Sequence, residues 1–355
     1  MKKIVLEPTN QCNRSCRHCF RNKADAPGFL PLKTADAVLS QAGDLGCKTI
    51  CLTGGEVALY PHLGELLRKI AGLGFEFTLI TNGHRFPEQV LPLLLEPKVK
   101  GRLASVCFSL DGARAATHDG LRGPKSFREV MEAMNLCRNH RLPLSLKSTV
   151  TAGNRGELTE LALLGVRMGA LEHGFLYPFP TPGFIREGLL PTPQEARDTI
   201  RRIQKDLMGI TSNRITVDGF SLGGGILDCG HLVDFLNVDY QGHVIFCCTL
   251  SHVNVGDGIP TSFCGELVAD LKEVSLKEAV VRQFRLAAAV VEARLHGSGN
   301  LDGLSETPCL WCLKHFRKLD WLKSFPDSPW TAWLWGGKRP VGGPRSQESS
   351  EAAIS

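Results

Sequence analysis

Three cysteines stand close together near the start of the chain. The segment NQCNRSCRHCF places Cys12, Cys16 and Cys19 at the spacing C-x3-C-x2-C. Three thiolates on one short loop can bind three irons of a [4Fe–4S] cluster and leave the fourth iron without a protein ligand. Structural zinc is the alternative, but it takes four ligands, and the nearby fourth candidate, His18, is confined between Arg17 and Cys19. The spacing therefore favours an iron–sulfur cluster with one open iron.

A second group of cysteines lies in the C-terminal half. Cys229 is followed by twelve residues, then Gly242, then four residues and Cys247. Glycine permits a tight hairpin turn, which would bring Cys247 back toward Cys229. Cys248 is the rival ligand. Because neighbouring residues of a strand face opposite sides, we expect Cys247 and not Cys248 to face the site.

Two further cysteines, Cys309 and Cys312, form a C-x2-C pair without local partners, and no cysteine follows them. Since Cys229 and Cys247 also lack a second half, we expect these four residues to form one site. Structural zinc is the alternative occupant, and a disulfide is less favoured. Cys264 stays open as a replacement ligand, although an isolated cysteine is more often a small buried hydrophobe.

Composition excludes several classes of protein. The chain has 355 residues and a net charge of +5, and its basic residues are scattered without interleaved aromatic residues. This pattern argues against a nucleic-acid surface. The N-terminus lacks the apolar segment of a secretion signal, and no apolar run reaches the ~18 residues of a membrane span. We expect a cytoplasmic protein with no nucleic-acid or membrane partner.

Apolar β-type segments alternate with helix-like segments over the first 210 residues, which predicts βαβ units and a parallel sheet. The predicted strands lie at 4–10, 48–55, 75–83, 104–112, 144–151 and 172–179. Six units are too few for a closed eight-stranded barrel, so the prediction is an α/β fold with a partial (β/α)6 TIM-like barrel. Ligands of such folds bind at the carboxyl ends of the strands.

The sequence pattern changes near residue 211, where the predicted elements become shorter and richer in glycine. They include a hairpin with its turn near 241–242 and a long helix over 275–295. We therefore expect three regions: the barrel at 1–210, a small α+β iron–sulfur domain at 211–335 and a disordered tail at 336–355.

The first motif resembles the cluster-binding signature of the radical S-adenosylmethionine (SAM) superfamily, with His18 at a position that is usually aromatic. TGGE at 53–56 resembles that family's GGE motif, except that Val57 replaces the usual proline. The resemblance implies that Gly54 and Gly55 let the backbone approach SAM and that Glu56 accepts from its ammonium group. It also implies reductive cleavage of SAM to a 5′-deoxyadenosyl radical, which takes a hydrogen atom from the substrate.

Other strand ends resemble SAM-contacting positions of the same family. On this resemblance the candidate cofactor contacts are Asn82 after the third strand, Ser109 and Asp111 after the fourth, and Lys147 and Ser148 on the fifth. A serine or asparagine at a strand end is also a common turn former or helix cap, and that alternative stays open.

The later cysteines resemble the family's auxiliary-cluster domain, called SPASM in its long form and Twitch in its short form. The resemblance implies a second [4Fe–4S] cluster on four cysteines, with a role in electron transfer, and an external donor such as flavodoxin or ferredoxin. We expect no peptide-binding domain ahead of the barrel, which favours oxidation of a small molecule over modification of a peptide or protein side chain. A non-catalytic electron carrier or a zinc-stabilised scaffold is the alternative from another class.

Overall fold

The computed structural model describes residues 1–207, 213–221, 225, 227–256, 258–296 and 304–336. Residues 337–355, which make up nearly all of the predicted disordered tail, lie outside this range. All thirteen cysteines are free thiols.

Within the described residues, ten strands form one sheet in the order β10-β9-β8-β1-β2-β3-β4-β5-β6-β7. The first six lie where the sequence predicts them, and β1 to β7 are all parallel. The strands are β1 Lys3–Thr9, β2 Thr49–Gly54, β3 Glu76–Thr81, β4 Leu103–Ser109, β5 Leu144–Thr149, β6 Glu172–Leu176, β7 Arg214–Asp218, β8 Phe235–Val238, β9 His243–Ile245 and β10 Leu267–Asp270.

The consecutive order of β1 to β7 distinguishes this sheet from a doubly wound one, in which the order reverses. Crossovers between parallel strands are generally right-handed, and in a sheet of this consecutive order that rule puts the connecting helices on one face, as in a TIM-like barrel. The predicted partial barrel is therefore confirmed. The helices are α1 Leu32–Ala42, α2 Leu63–Gly72, α3 Leu91–Leu94, α4 Pro97–Lys100, α5 Ala115–Arg122, α6 Ser126–Asn139, α7 Leu158–Arg167, α8 Pro182–Arg186, α9 Pro193–Leu207, α10 Leu276–His296, α11 Pro308–His315 and α12 Pro329–Trp335.

The two faces of the barrel sheet differ in polarity. Alternate residues such as Ile4, Ile50 and Leu144 are buried in the apolar core. The opposite face, which we call the inner face, carries mainly polar side chains in lateral register, since strand residues alternate between faces. Its members include Glu7, Cys51, Thr78, Ser105, Cys107, Ser109, Ser145, Lys147, Thr149, Thr216 and Asp218. The barrel thus encloses a polar interior below the strand ends.

Two strands extend the barrel beyond the six predicted units. β7 continues the parallel sheet beside β6, although its residues fall in the predicted second region. On the other edge, β8 pairs parallel with β1. The domain boundary at residue 210 stays a prediction. The sheet nevertheless includes strands from both sides of that boundary, because β7 and β8 pair with the otherwise unpaired edges at β6 and β1.

The predicted hairpin and long helix are both present. β8 and β9 pair antiparallel, and Gly242 turns between them with φ of +88°, a conformation that glycine adopts at little cost. α10 follows, and α11 carries Cys309 and Cys312. No helix among the described residues has both the length and the apolarity needed to cross a bilayer.

Candidate functional site

The loop that follows β1 carries Cys12, Cys16 and Cys19 at the carboxyl edge of the sheet. Cys12 is exposed, whereas Cys16 and Cys19 are half-buried. The amide of Cys19 donates to the carbonyl of Cys16 (3.1 Å), which holds these two residues in one turn. Burial raises the pKa of Cys16, with the charge of Arg122 opposing it. The Cys16 thiol is therefore protonated in the cluster-free protein at neutral pH, and iron binding must release its proton.

Gly54 and Gly55 pack against the backbone of this loop. The amide of Gly55 donates to the carbonyl of Thr9 (2.8 Å), and that of Glu56 donates to the carbonyl of Gln11 (2.7 Å). A Cβ at Gly55 would lie 2.5 Å from the carbonyl carbon of Gln11 and closer still to its oxygen. The glycines are thus needed for contact between the end of β2 and the cysteine loop, in addition to the predicted approach of SAM.

The carboxylate of Glu56 is buried and already holds three donors. It accepts from Ala58 N (3.2 Å), Thr81 Oγ1 (2.6 Å) and Asn82 N (2.8 Å). Burial raises its pKa, although these hydrogen bonds oppose the rise. Two carboxylate oxygens offer about four acceptor positions, so one remains for a further donor. The predicted contact with an ammonium group stays a prediction that this geometry permits.

Asn82 lies directly against the cysteine loop. Its Nδ2 donates to Asn13 Oδ1 (2.9 Å) and lies 3.7 Å from Cys12 Sγ. Its Oδ1 accepts from the amide of His84 (3.0 Å). The structure therefore gives Asn82 a role in positioning Cys12, which the sequence pattern did not indicate.

Asp111 is the centre of a buried ionic network beneath the loop. Its carboxylate pairs with Arg122 Nε and His18 Nε2 (3.1 Å) and accepts from the amide of Thr149 (2.7 Å). Burial alone would raise the pKa of Asp111, but Arg122 and His18 outweigh burial and hold it far below its usual range. Arg122 also lies 4.0 Å from Cys16 Sγ. Asp111 thus anchors the loop through His18, which stands between two of its cysteines.

Lys147 and Ser148 face opposite sides of β5. Lys147 lies on the inner face in register with Ser109 and forms an ion pair with Asp218 of β7. Ser148 is buried on the helix side, where its hydroxyl donates to the carbonyl of Leu110 and contacts His173 Nε2 (2.7 Å). The structure therefore brings Ser109 and Lys147 to the polar interior and does not bring Ser148 there.

The side chains around the loop fit a three-cysteine cluster. The donors are three soft thiols that no disulfide withdraws, which is the ligand set of iron–sulfur chemistry. Arg122 beside Cys16 and Asn82 beside Cys12 supply N–H groups toward the sulfurs.

The second set of cysteines also assembles. Cys229 precedes a single helical turn, Cys247 follows β9, and Cys309 and Cys312 lie on α11. Burial raises the pKa of Cys309, and the neighbouring Cys229 and Cys312 raise it further. Cys312 is likewise buried, and its pKa rises to about 11. Cys264, the possible replacement, is exposed.

The prediction that strand alternation excludes Cys248 as a ligand is wrong. β9 ends at Ile245, so Cys247 and Cys248 lie beyond the strand and its alternation does not apply. The ligand atoms of His231, Cys247 and Cys248 all lie within 4.8 Å of one another, and His231 Nε2 is 3.5 Å from Cys248 Sγ. His231 and Cys248 therefore lie beside Cys247, the ligand predicted there. The choice of Cys247 stays a prediction.

A single β-bridge connects the first cysteine loop with the segment after Cys248. Arg21 forms an antiparallel bridge with Val253, and its guanidinium binds both carboxylate oxygens of Glu7 (2.9 Å each) and the carbonyl of Ser251 (2.7 Å). Burial alone would lower the pKa of Arg21, but Glu7 and the nearby thiols Cys19 and Cys248 raise it. Arg21 thus lies between the two thiol groups.

A second connection is the buried imidazole of His252. Its two nitrogens contact Asp25 (2.7 Å) and Asp239 (2.9 Å). Burial lowers the pKa of His252, but the hydrogen bonds and charges of these carboxylates outweigh burial and raise it. Because Asp25 follows the first cysteine loop, the imidazole ties that loop to the C-terminal region.

Comparisons with known proteins agree with this geometry. The sequence model of the Radical SAM superfamily matches residues 6–159. AdoMet-dependent heme synthase of Methanosarcina barkeri is 29% identical over 181 residues, which cover 50% of this chain and 51% of that protein. Mycofactocin maturase MftC of Mycobacterium ulcerans is 30% identical over 176 residues, covering 47% and 45%. The chain spans about half the length of these curated relatives.

The structure of Streptococcus suis SuiB bound to precursor peptide SuiA has a similar fold. Its TM-score is 0.62 at 15% identity, and the match covers 78% of this chain and 64% of SuiB. The cysteine loop and most of the barrel strands thus lie in the part of the chain, residues 6–159, that matches the Radical SAM superfamily. The predicted resemblance to this family is thereby confirmed.

Proposed function

We propose that this protein is a radical SAM oxidoreductase that uses an auxiliary [4Fe–4S] cluster for electron transfer. The observation that carries the proposal is the contact between the two motifs. The loop with Cys12, Cys16 and Cys19 rests on Gly55 and Glu56 through two backbone hydrogen bonds. This arrangement sets three thiols beside a buried carboxylate at the carboxyl edge of a parallel sheet, where ligands of such folds bind.

Different residues would have different roles at the first cysteine site. Cys12, Cys16 and Cys19 would hold the cluster, which when bound supplies the electron that cleaves SAM to a 5′-deoxyadenosyl radical. Glu56 orients the SAM ammonium, and the backbone of Gly54 and Gly55 gives it a close surface. Ser109 and Lys147, the predicted SAM contacts on the inner face, would bind the cofactor there, and the same face would receive the substrate.

The second site would hold the auxiliary cluster. Cys229, Cys247, Cys309 and Cys312 supply four thiolates, which fill every iron position and leave electron transfer as its chemistry. The proximity of Cys229 and Cys312 to Cys309, whose pKa they raise, supports one shared site. An external donor such as flavodoxin or ferredoxin would supply the reducing electron, and the proposed compartment is the cytoplasm.

Two classes of substrate are supported by different observations. The polar interior, with its ion pair between Lys147 and Asp218, supports oxidation of a small polar molecule, which we favour. Peptide modification is the second candidate, because relatives include the subtilosin biosynthesis protein AlbA of Bacillus subtilis and SuiB with its precursor peptide. Binding assays with candidate leader peptides would separate the two classes.

The test of SAM cleavage is anaerobic reconstitution followed by dithionite and SAM. We expect 5′-deoxyadenosine, measured by liquid chromatography and mass spectrometry. Cys16→Ala should abolish the product, whereas Cys264→Ala, a change at an exposed cysteine, should not. A fully loaded preparation that yields no 5′-deoxyadenosine would leave the electron carrier or scaffold as the better description.

The test of the auxiliary cluster is an iron count. The wild-type chain should hold about eight irons, and the double variant Cys309→Ala/Cys312→Ala should lose about four while keeping the SAM cluster. A zinc ion in place of the second set of irons would favour a structural metal site there.

A further inference from the structure

A buried arginine lies against one ligand of the proposed auxiliary site. Arg294 on α10 is 1% exposed. Its Nη2 donates to Cys312 Sγ (3.0 Å) and to the carbonyl of Pro308 (3.3 Å). Its guanidinium carbon lies 5.3 Å from the centre of the Trp311 ring. Arg294 therefore contacts the first half of α11, the helix that carries both Cys309 and Cys312.

Burying a guanidinium is costly unless anionic or strongly polar groups accept its protons. A thiolate ligand is such a group. Both contacts are made by one nitrogen, Nη2, which ties the guanidinium to the carbonyl of Pro308 and to Cys312 four residues later on α11. The hydrogen bond thus orients Cys312 and places a positive charge beside a predicted cluster ligand.

We propose that Arg294 is a positioning residue for the auxiliary cluster, holding Cys312 toward iron and raising the reduction potential of the cluster. The inference rests on the proposed function, because it requires a cluster at that site. Four thiolates give the oxidised cluster a net negative charge, and reduction adds one more. A fixed positive charge and an N–H···S hydrogen bond both stabilise the reduced form more than the oxidised form, and both are established determinants of cluster potential.

The test compares Arg294→Gln, Arg294→Lys and the wild-type chain, reconstituted anaerobically. The readouts are the iron count and a redox titration of each cluster followed by electron paramagnetic resonance. Arg294→Gln should hold its iron but favour the oxidised auxiliary cluster at least tenfold more, a downward shift of 59 mV or more for a one-electron couple. The SAM cluster should keep its potential in every variant, which makes it an internal control.

Arg282→Gln is the matched control. Arg282 lies on the same helix and pairs with Glu278 at the surface (2.9 Å), so its loss should move neither potential. Arg294→Lys keeps the charge and should fall between wild type and Arg294→Gln. If Arg294→Gln loses the auxiliary cluster while Arg294→Lys retains it with a lowered potential, the positioning role is supported as well.

Two outcomes overturn the inference, and they differ from each other. An auxiliary cluster with the same potential in Arg294→Gln and wild type removes the role of Arg294 and leaves the proposed function intact. A wild-type chain that holds only the SAM cluster removes both the proposed electron-transfer function of the second site and this inference with it.

Discussion

Asp111→Asn should lower the free energy of unfolding by about 3 kcal/mol. Asp111 is fully buried, and the side chain of Arg122 is only 13% exposed. Asparagine keeps the shape, but its amide must face the donors of Arg122 and His18. Removing one partner of a buried ion pair costs roughly 3–5 kcal/mol. The lower end applies because Arg122 retains some solvent contact and lies near Cys16.

The effect should depend on pH in a defined direction. The pKa of Asp111 is lowered in the folded protein, since Arg122 and His18 outweigh burial. Its stabilising contribution is therefore fully present above the unfolded pKa of about 3.9 and is lost as the pH falls below that value toward the folded pKa. The wild type should therefore lose its stability advantage over Asp111→Asn as the pH falls below about 3.9.

Urea unfolding of the cluster-free protein, followed by circular dichroism, measures this difference. Asp44→Asn is the matched control, because Asp44 is exposed, and should change the free energy by less than about 0.5 kcal/mol. The reconstituted Asp111→Asn protein should also lose iron from the first site faster in the presence of a chelator. If Asp111→Asn and Asp44→Asn unfold alike, the network does not anchor the loop and the reasoning fails.

Three further predictions concern the same framework. Gly55→Ala should destabilise the protein by about 2 kcal/mol or more, because its Cβ would overlap the loop backbone, whereas Gly156→Ala meets no atom within 4 Å and should be tolerated; thermal unfolding compares them. His252 has a raised pKa, so its contribution to folding stability is full below the unfolded pKa of about 6.5 and is lost as the pH rises through the folded value. The urea midpoint should therefore differ less between pH 6 and pH 8.5 in His252→Asn than in the wild type. An equal difference in the two proteins would contradict this prediction. Arg21→Met should cost about 3 kcal/mol by leaving Glu7 buried without its ion pair, and an unchanged urea midpoint would count against it.

The strands and the first cysteine loop were predictable because their signals are local. Each predicted strand lies within a few residues of the observed one, since β-type segments bounded by turn residues specify themselves. Gly242 similarly predicted the hairpin that the structure contains. The sheet edges were not predictable in the same way: β8 joins β1 across more than two hundred residues, and no local pattern encodes that pairing.

The charged side chains that contact the cysteines could not be predicted either, because their partners are distant in sequence. Arg294 is a partial exception, since its burial follows a local pattern. The buried positions of α10 include Ala287, Val290 and Arg294, which recur every three or four residues. This period places Arg294 on the apolar stripe of the helix, so its burial could have been inferred. Its partner could not, because Cys312 lies beyond the end of that helix. The error at Cys248 arose from extending a strand past its true end at Ile245.

Arg21 connects the first cysteine loop with the segment that follows Cys248. Arg21, two residues after Cys19, forms a β-bridge with Val253, which lies five residues after Cys248. Its guanidinium also binds Glu7 on β1, so one side chain contacts the barrel, the first loop and the second site. Because buried hydrogen-bonded networks resist partial rearrangement, displacement of the second site should be felt at the first. An arginine suits this position, because its several fixed donors reach Glu7 and the carbonyl of Ser251 at once.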